Sequence, residues 1–316
     1  MKPVLRLLLG AGLVAGLALG VAQLLPRRPA PARVGIAGTT PAPIRVEPAP
    51  EPAALRSLLD PATATDTERL AACHALPATL DAAHRSTLLR HLDGPCPANC
   101  KPAHWHALWN DALNSLRRQG AGADELAIFL ERNATRPDCD PVIRDYALQH
   151  MRALLADSDA NYLRVEDPAL RERLFAVLSS AATRVDTTAA GTALLALNHC
   201  DENRHGGEPA PAAIDALVLS ACGEGASDLV RITAFQLAAR RSLHAALPEL
   251  RRMVAADARG PVSLRASACA ALGVLGDATD LPLLEQAAAN NPRLALAARP
   301  ALNRLQAATA SSTPSN

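Results

Sequence analysis

The chain has 316 residues, a net charge of +1 and 49% apolar residues, of which aromatics are only 2% of the whole. The near-neutral balance excludes a general electrostatic pull on nucleic acid. The scarcity of aromatic side chains argues against a sheet-built core and leaves Leu, Ala and Val to pack an all-helical one. Only Lys2 and Lys101 among the 32 basic residues are lysine. The arginines are scattered and balanced by carboxylates, a pattern of composition rather than of an anion site.

Residues 1–25 read as an N-terminal transmembrane anchor or signal sequence. Lys2 and Arg6 precede an uncharged run from Leu7 to Leu25, long enough to cross a bilayer at ~1.5 Å per residue. Gly20-Val21-Ala22 resembles a cleavage site after Ala22, but the run stays apolar beyond it, which favours an uncleaved anchor. The expectation is a single-pass protein of a bacterial inner membrane, held through residues 7–25, with its C-terminal domain in the periplasm. Secretion after cleavage is the alternative. Residues 26–53 are dense in Pro and Ala. Missing amide donors and a fixed φ make such a segment a disordered, semi-stiff spacer.

Residues 54–120 read as a small helical module, with helices near 66–75, 78–92 and 102–118. Its densest polar run is Cys96-x3-Cys100-x3-His104-x-His106, with His91 upstream. Two cysteines and two histidines form a donor set for a metal, yet the spacing departs from finger and ribbon patterns. Disulfides drawn from Cys73, Cys96, Cys100 and Cys139 are the favoured reading in an oxidising compartment. Trp105 and Trp109, one turn apart, serve as core anchors or, failing that, as a binding surface.

Residues 121–306 alternate apolar helical stretches with breaks rich in Pro, Gly, Asp and Asn. The spacing predicts helix pairs at 124–133 with 140–156, 166–181 with 187–199, 211–222 with 228–240, 247–256 with 262–275, and 280–290 with 292–306. Asp140-Pro141, Asp167-Pro168 and Asn291-Pro292 each read as an N-cap followed by proline at the first helical position. Residues 307–316 read as a disordered tail. The fold class is therefore an α-solenoid of antiparallel helix pairs, stacked so that neighbours bury each other's apolar faces.

The second helices share a pattern. Val142-Ile143-Arg144-Asp145-Tyr146-Ala147, Leu229-Val230-Arg231-Ile232-Thr233-Ala234 and Ser263-Leu264-Arg265-Ala266-Ser267-Ala268 lie on one another, and the last helix replaces the arginine with Ala295. The stretch from Leu264 to Asp277, followed by Leu281-Pro282, resembles a HEAT repeat of the kind found in phycobilin-lyase-like proteins. That family favours Arg-x-x-Ala-x-x-Ala-Leu-Gly-x-Leu-Gly-Asp before a helix opening with Leu-Pro. The resemblance is clearest over residues 228–306. It implies supporting roles for Arg144, Arg231 and Arg265, close packing at Ala268, a tight helix exit at Gly273 and Gly276, and a cap at Asp277.

No Gly-x-Ser-x-Gly, phosphate-binding loop, His-Glu-x-x-His or dinucleotide fingerprint is present. The expectation is a non-enzymatic scaffold that needs no cofactor and binds protein partners, not nucleic acid, along a solenoid surface. The alternatives are a metal- or redox-responsive protein built on Cys96, Cys100, His104 and His106, and a lyase-like handler of a cofactor.

Overall fold

The computed structural model describes residues 51–60, 65–156 and 162–311. Among them lie fourteen α-helices and no strand. In chain order these are α1 (Ala53–Leu59), α2 (Asp66–His74), α3 (Ala82–Leu92), α4 (Pro102–Arg117), α5 (Ala123–Thr135), α6 (Pro141–Ala156) and α7 (Pro168–Thr183). They continue with α8 (Thr188–Glu202), α9 (Pro211–Cys222), α10 (Asp228–Arg240), α11 (Leu247–Val254), α12 (Val262–Leu275), α13 (Leu281–Asn290) and α14 (Pro292–Ser311).

Side-chain caps set many of the helix starts. Thr65 Oγ1 accepts from the Glu68 amide at 3.2 Å while Glu68 accepts from the Thr65 amide at 2.7 Å, a reciprocal box that opens α2. Asp140 accepts from the amide of Val142 at 2.8 Å, Asp167 from Ala169 at 3.0 Å, and Asn291 from Arg293 at 3.0 Å. Each of these three caps precedes a proline whose missing N–H the first helical turn does not need.

The helices pack in two rows. Even-numbered helices touch in chain order, from α2 with α4 through to α12 with α14. Odd-numbered helices form the second row, α1 with α3 through α7 with α9, and the short 3-10 turn His244–Ala246 carries the row on to α11 and α13. Each odd helix also packs on the even helix that follows it in six of the seven pairs. In the remaining pair, α3 meets α4 where Trp109 Nε1 donates to the Leu92 carbonyl at 3.2 Å.

Small side chains let the rows close. Ala268 is fully buried. A Cβ placed on Gly273 would sit 2.4 Å from Ala301 Cβ, so α12 and α14 cross with no room for one. Gly273 lies inside α12, which corrects its expected place in the helix exit. Gly276 does stand at that exit, where a Cβ would meet the Leu272 carbonyl at 2.6 Å. Asp277 then caps the next turn, accepting from the Thr279 amide at 2.8 Å.

An arginine at the fourth residue of four even helices fastens each pair. Arg144 donates to the carbonyls of Arg136 at 2.8 Å and Pro137 at 3.1 Å, just past α5. Arg231 donates to Cys222 O at 3.3 Å, at the end of α9. Arg265 reaches Met253 O, Val254 O and Ala255 O at 3.3, 3.4 and 2.8 Å, at the end of α11. Arg69 does the same for α1 through Asp60 O at 3.5 Å. The last carbonyls of a helix have no partner within it and carry partial negative charge, so a guanidinium satisfies both needs.

Pro48–Asn316 forms one compact unit, and nothing in the row order marks a break between residues 120 and 121. Residues 1–50 lie outside the described residues, and with them the expected anchor and most of the expected spacer. The spacer's last residue, Ala53, already begins α1. The tail is corrected as well: α14 runs on to Ser311, and residues 312–316 lie outside the described ones. The single-pass inner-membrane placement, with secretion as its alternative, is not retained. No helix among the described residues is long and apolar enough to cross a membrane.

Candidate functional site

Among the described residues six large apolar side chains remain exposed, and five belong to even helices: Val142, Leu195, Leu229, Val274 and Leu296. The sixth, Ile128, is on α5. Exposure is 82% at Leu296, 63% at Leu229, 49% at Leu195 and 48% at Val274. On α8, α10 and α12 the open positions recur at helical spacing on one side. They are Thr188, Thr192, Leu195 and His199 on α8, Leu229, Thr233 and Gln236 on α10, and Ser263, Ser267, Ala270 and Val274 on α12.

These stripes are poor in charge. The charges of α10 on this side are Asp228 and Arg240, at its two ends. Those of α8 are Asp201 and Glu202 in its last turn. The one charge on α12, Arg265, is bound to backbone carbonyls. Neighbouring stripes touch. Ser267 Oγ donates to Ile232 O at 3.3 Å, and a Cβ on Gly191 would lie 3.3 Å from Thr233 Oγ1. Between those ends the three helices therefore present one continuous uncharged face.

Charge gathers on the odd row and the loops, mostly in pairs. Arg173 Nε donates to Glu131 at 3.2 Å between α7 and α5, and Arg251 grips the buried Asp280 at 2.7 and 3.0 Å. Arg241 joins Asp215 at 2.6 Å and Asp201 at 2.8 Å, and Glu202 pairs with Arg240 at 2.6 Å, so the acids in the last turn of α8 serve a structural network. A hollow of about 420 Å³ lies among Glu224, Arg231, Arg252, Asp257 and Arg259. Arg252 within it is held by Glu224 at 2.7 Å and Glu249 at 2.6 Å.

The cysteine–histidine run is drawn apart by its partners. His104 Nδ1 lies 2.5 Å from Asp66 at the start of α2, whereas His106 Nε2 lies 3.3 Å from Asp140 ahead of α6. His91 packs edge-on against Trp105, ring centres 5.5 Å apart. Among the described residues, no group of three or more His, Cys, Asp or Glu side chains is placed to hold a metal ion. All seven cysteines are free thiols. Cys73 and Cys139 are buried, Cys73 on α2 and Cys139 between α5 and α6. Cys96 and Cys100 flank the turn before α4, where the Cys100 amide donates to Pro97 O at 2.8 Å.

The electrostatics of that corner centre on Asp66. The hydrogen bond from His104, then the one from the Cys100 thiol, hold its carboxyl down at about 2. Burial first, then Asp66, pushes the Cys100 thiol up to about 12. Trp105 and Trp109 are buried, and Trp109 stacks near Phe129 and Tyr146, so both are core anchors.

Sequence reasoning missed two features. Arg69 occupies the same helix position as Arg144, Arg231 and Arg265, and laying Asp66–Arg69 on those helices would have found it. The uncharged face carries no motif, because it is defined by what neighbouring helices leave uncovered.

The fold thus defines an all-helical protein of stacked helix pairs. No protein-family model matches the chain, and no curated protein does. Among solved structures it is similar to human deoxyhypusine hydroxylase in complex with glycerol, at 16% identity and a TM-score of 0.36, over 80% of this chain and 95% of that one. That protein is an enzyme, so the expectation that this chain is not one is withdrawn. At this TM-score the likeness carries no activity over to this chain.

Proposed function

We propose that the protein binds other proteins through the uncharged face of α8, α10 and α12, and that its helix pairs are HEAT-type repeats. The single observation that carries this reading is that the exposed large apolar side chains concentrate on the even row, where the middle turns of three adjacent helices carry no exposed charge. Depletion of charge together with exposed apolar groups marks a surface meant to be covered. The near-neutral net charge gives no general pull on a phosphate backbone, which favours a protein partner. The fitting occupant is a charge-poor segment with apolar side chains, lying across the three helices with Leu195, Leu229 and Val274 beneath it. Stacked repeats offer such extended surfaces as a direct result of their geometry.

The test places a photo-crosslinking residue at 195, 229 or 274 of the full chain, and at 172 on α7 as the control. The same partner is expected from all three positions and not from the control. Leu229→Glu and Val274→Glu are expected to weaken its binding at least tenfold, about 1.4 kcal/mol each, with unchanged helicity. Equal labelling from position 172, or full binding by both glutamate variants, would overturn the reading.

A further inference from the structure

We infer that Cys96 and Cys100 form a thiol–disulfide exchange site, closed by reaction with an oxidised low-molecular-weight disulfide and reopened by a thiol. The observation is a juxtaposition of two cysteines across one turn, the half-buried Cys96 and the buried Cys100, in a protein whose other thiols are inside. The Cys96 thiol donates to Cys100 O at 3.5 Å, which brings its sulfur over the Cys100 backbone. The turn closed by Pro97 O and the Cys100 amide at 2.8 Å holds the two residues on one side.

The other cysteines do not compete. Cys73, Cys139, Cys200, Cys222 and Cys269 are all buried, while Cys96 is half-buried. Cys73 is on α2, Cys139 follows α5, and Cys200, Cys222 and Cys269 lie on α8, α9 and α12. Disulfide geometry requires α-carbons within about 7 Å, so the neighbour in contact is the one that can close. Of the pairings open to Cys96 in the sequence, the geometry selects Cys100.

Their surroundings assign the roles. Cys96, the more exposed thiol, is the attacking group. After losing its proton to solvent, its sulfur attacks one sulfur of the reagent disulfide, forming a mixed disulfide and releasing one reagent thiolate. Cys100, beside Asp66 and buried, is the resolving thiol. Its sulfur, on losing its own proton, attacks Cys96 Sγ and expels the second reagent thiolate. Two electrons and two protons leave the protein, and one disulfide reagent becomes two thiols. Closure takes the Cys100 thiol away from Asp66 and ties down the turn that leads into α4. The burial and the carboxylate that keep Cys100 protonated also make its step the slow one.

The experiment uses the full chain with oxidised glutathione, followed by alkylation in denaturant and peptide mass analysis. The expected result is loss of two hydrogens from the segment holding Cys96 and Cys100, with the other five cysteines alkylated, and recovery with reduced glutathione. In Cys100→Ala the expected product is a lasting glutathione adduct on Cys96. In Cys96→Ala, oxidation at this corner is expected to be lost or slowed at least tenfold. Circular dichroism establishes that both variants keep their helices. A lasting adduct on Cys96 in the unsubstituted chain, a bond from Cys96 to Cys73 or Cys139, or seven thiols left unreacted would each overturn the assignment.

Discussion

At the scale of single residues, His150 illustrates how a helical core constrains a titratable group. It sits on α6, buried, with Nε2 at 3.1 Å from Asn110 Oδ1 of α4, and its Nδ1 has no partner. Burial first, then the charges of Arg117 and Arg152, push its pKa down to about 3. The folded protein therefore keeps His150 neutral where the unfolded chain, with a histidine near 6.5, takes up a proton. Stability is full above about pH 6.5 and is lost as pH falls from there towards about 3. Between about pH 7 and about pH 5 the loss is on the order of 2 kcal/mol. Urea unfolding should show that decline in the unsubstituted protein and a flatter profile in His150→Leu. Equal slopes would mean that His150 charges without leaving the fold. Asp66 acts in a lower window: held at about 2, its contribution is lost only as pH falls from about 4 towards 2.

At the scale of the element, the crossing of α12 and α14 is the tightest contact described. Alanine in place of Gly273 would gain up to about 1 kcal/mol in helix propensity. The added methyl would lie 2.4 Å from Ala301 Cβ and 2.5 Å from Ala301 Cα, however, and neither atom can swing aside. Overpacking of this kind costs about 1–3 kcal/mol, so Gly273→Ala should lower the denaturation midpoint. Ala301→Gly in the same chain should recover part of the loss; no recovery would place the strain elsewhere. The same glycine shows where sequence reading stops. Leu-Gly near a helix end is compatible with a helix exit and with a close crossing, and only the partner helix decides between them. Helices opening with a cap and proline, such as α6, α7 and α14, were legible because the signal is local. The short α1, with no capping side chain and proline before it, was not. Nor was the last turn of α14, where the apolar spacing ends at Leu305 and alanine propensity alone carries the helix on.

At the scale of the whole molecule, each pair touches its neighbours along two rows, and stability runs along the stack by nearest-neighbour contact. Interior pairs are supported on both sides and terminal pairs on one. Native-state hydrogen exchange should find the amides of α8 and α10 more protected than those of α1 and the last turns of α14. Uniform protection from α1 to α14 would instead indicate a single cooperative block. The proposed binding face is a property of the same scale. No residue in it is unusual by itself; Thr188, Gln236 and Ser263 become a surface only because the rows hide the other sides of their helices. The cysteine–histidine run misled for the converse reason. Its members are close in sequence, but Asp66 and Asp140 draw His104 and His106 towards different helices.

The arginine at the fourth position of α2, α6, α10 and α12 binds the end of its own pair's first helix. Such a pair carries its own fastening and asks of its neighbours only a matching apolar side. Units built this way can be copied in tandem during gene duplication without redesigning the joints. Each copy would add another rung to the uncharged face, so the length of partner gripped could be changed by counting units instead of altering side chains.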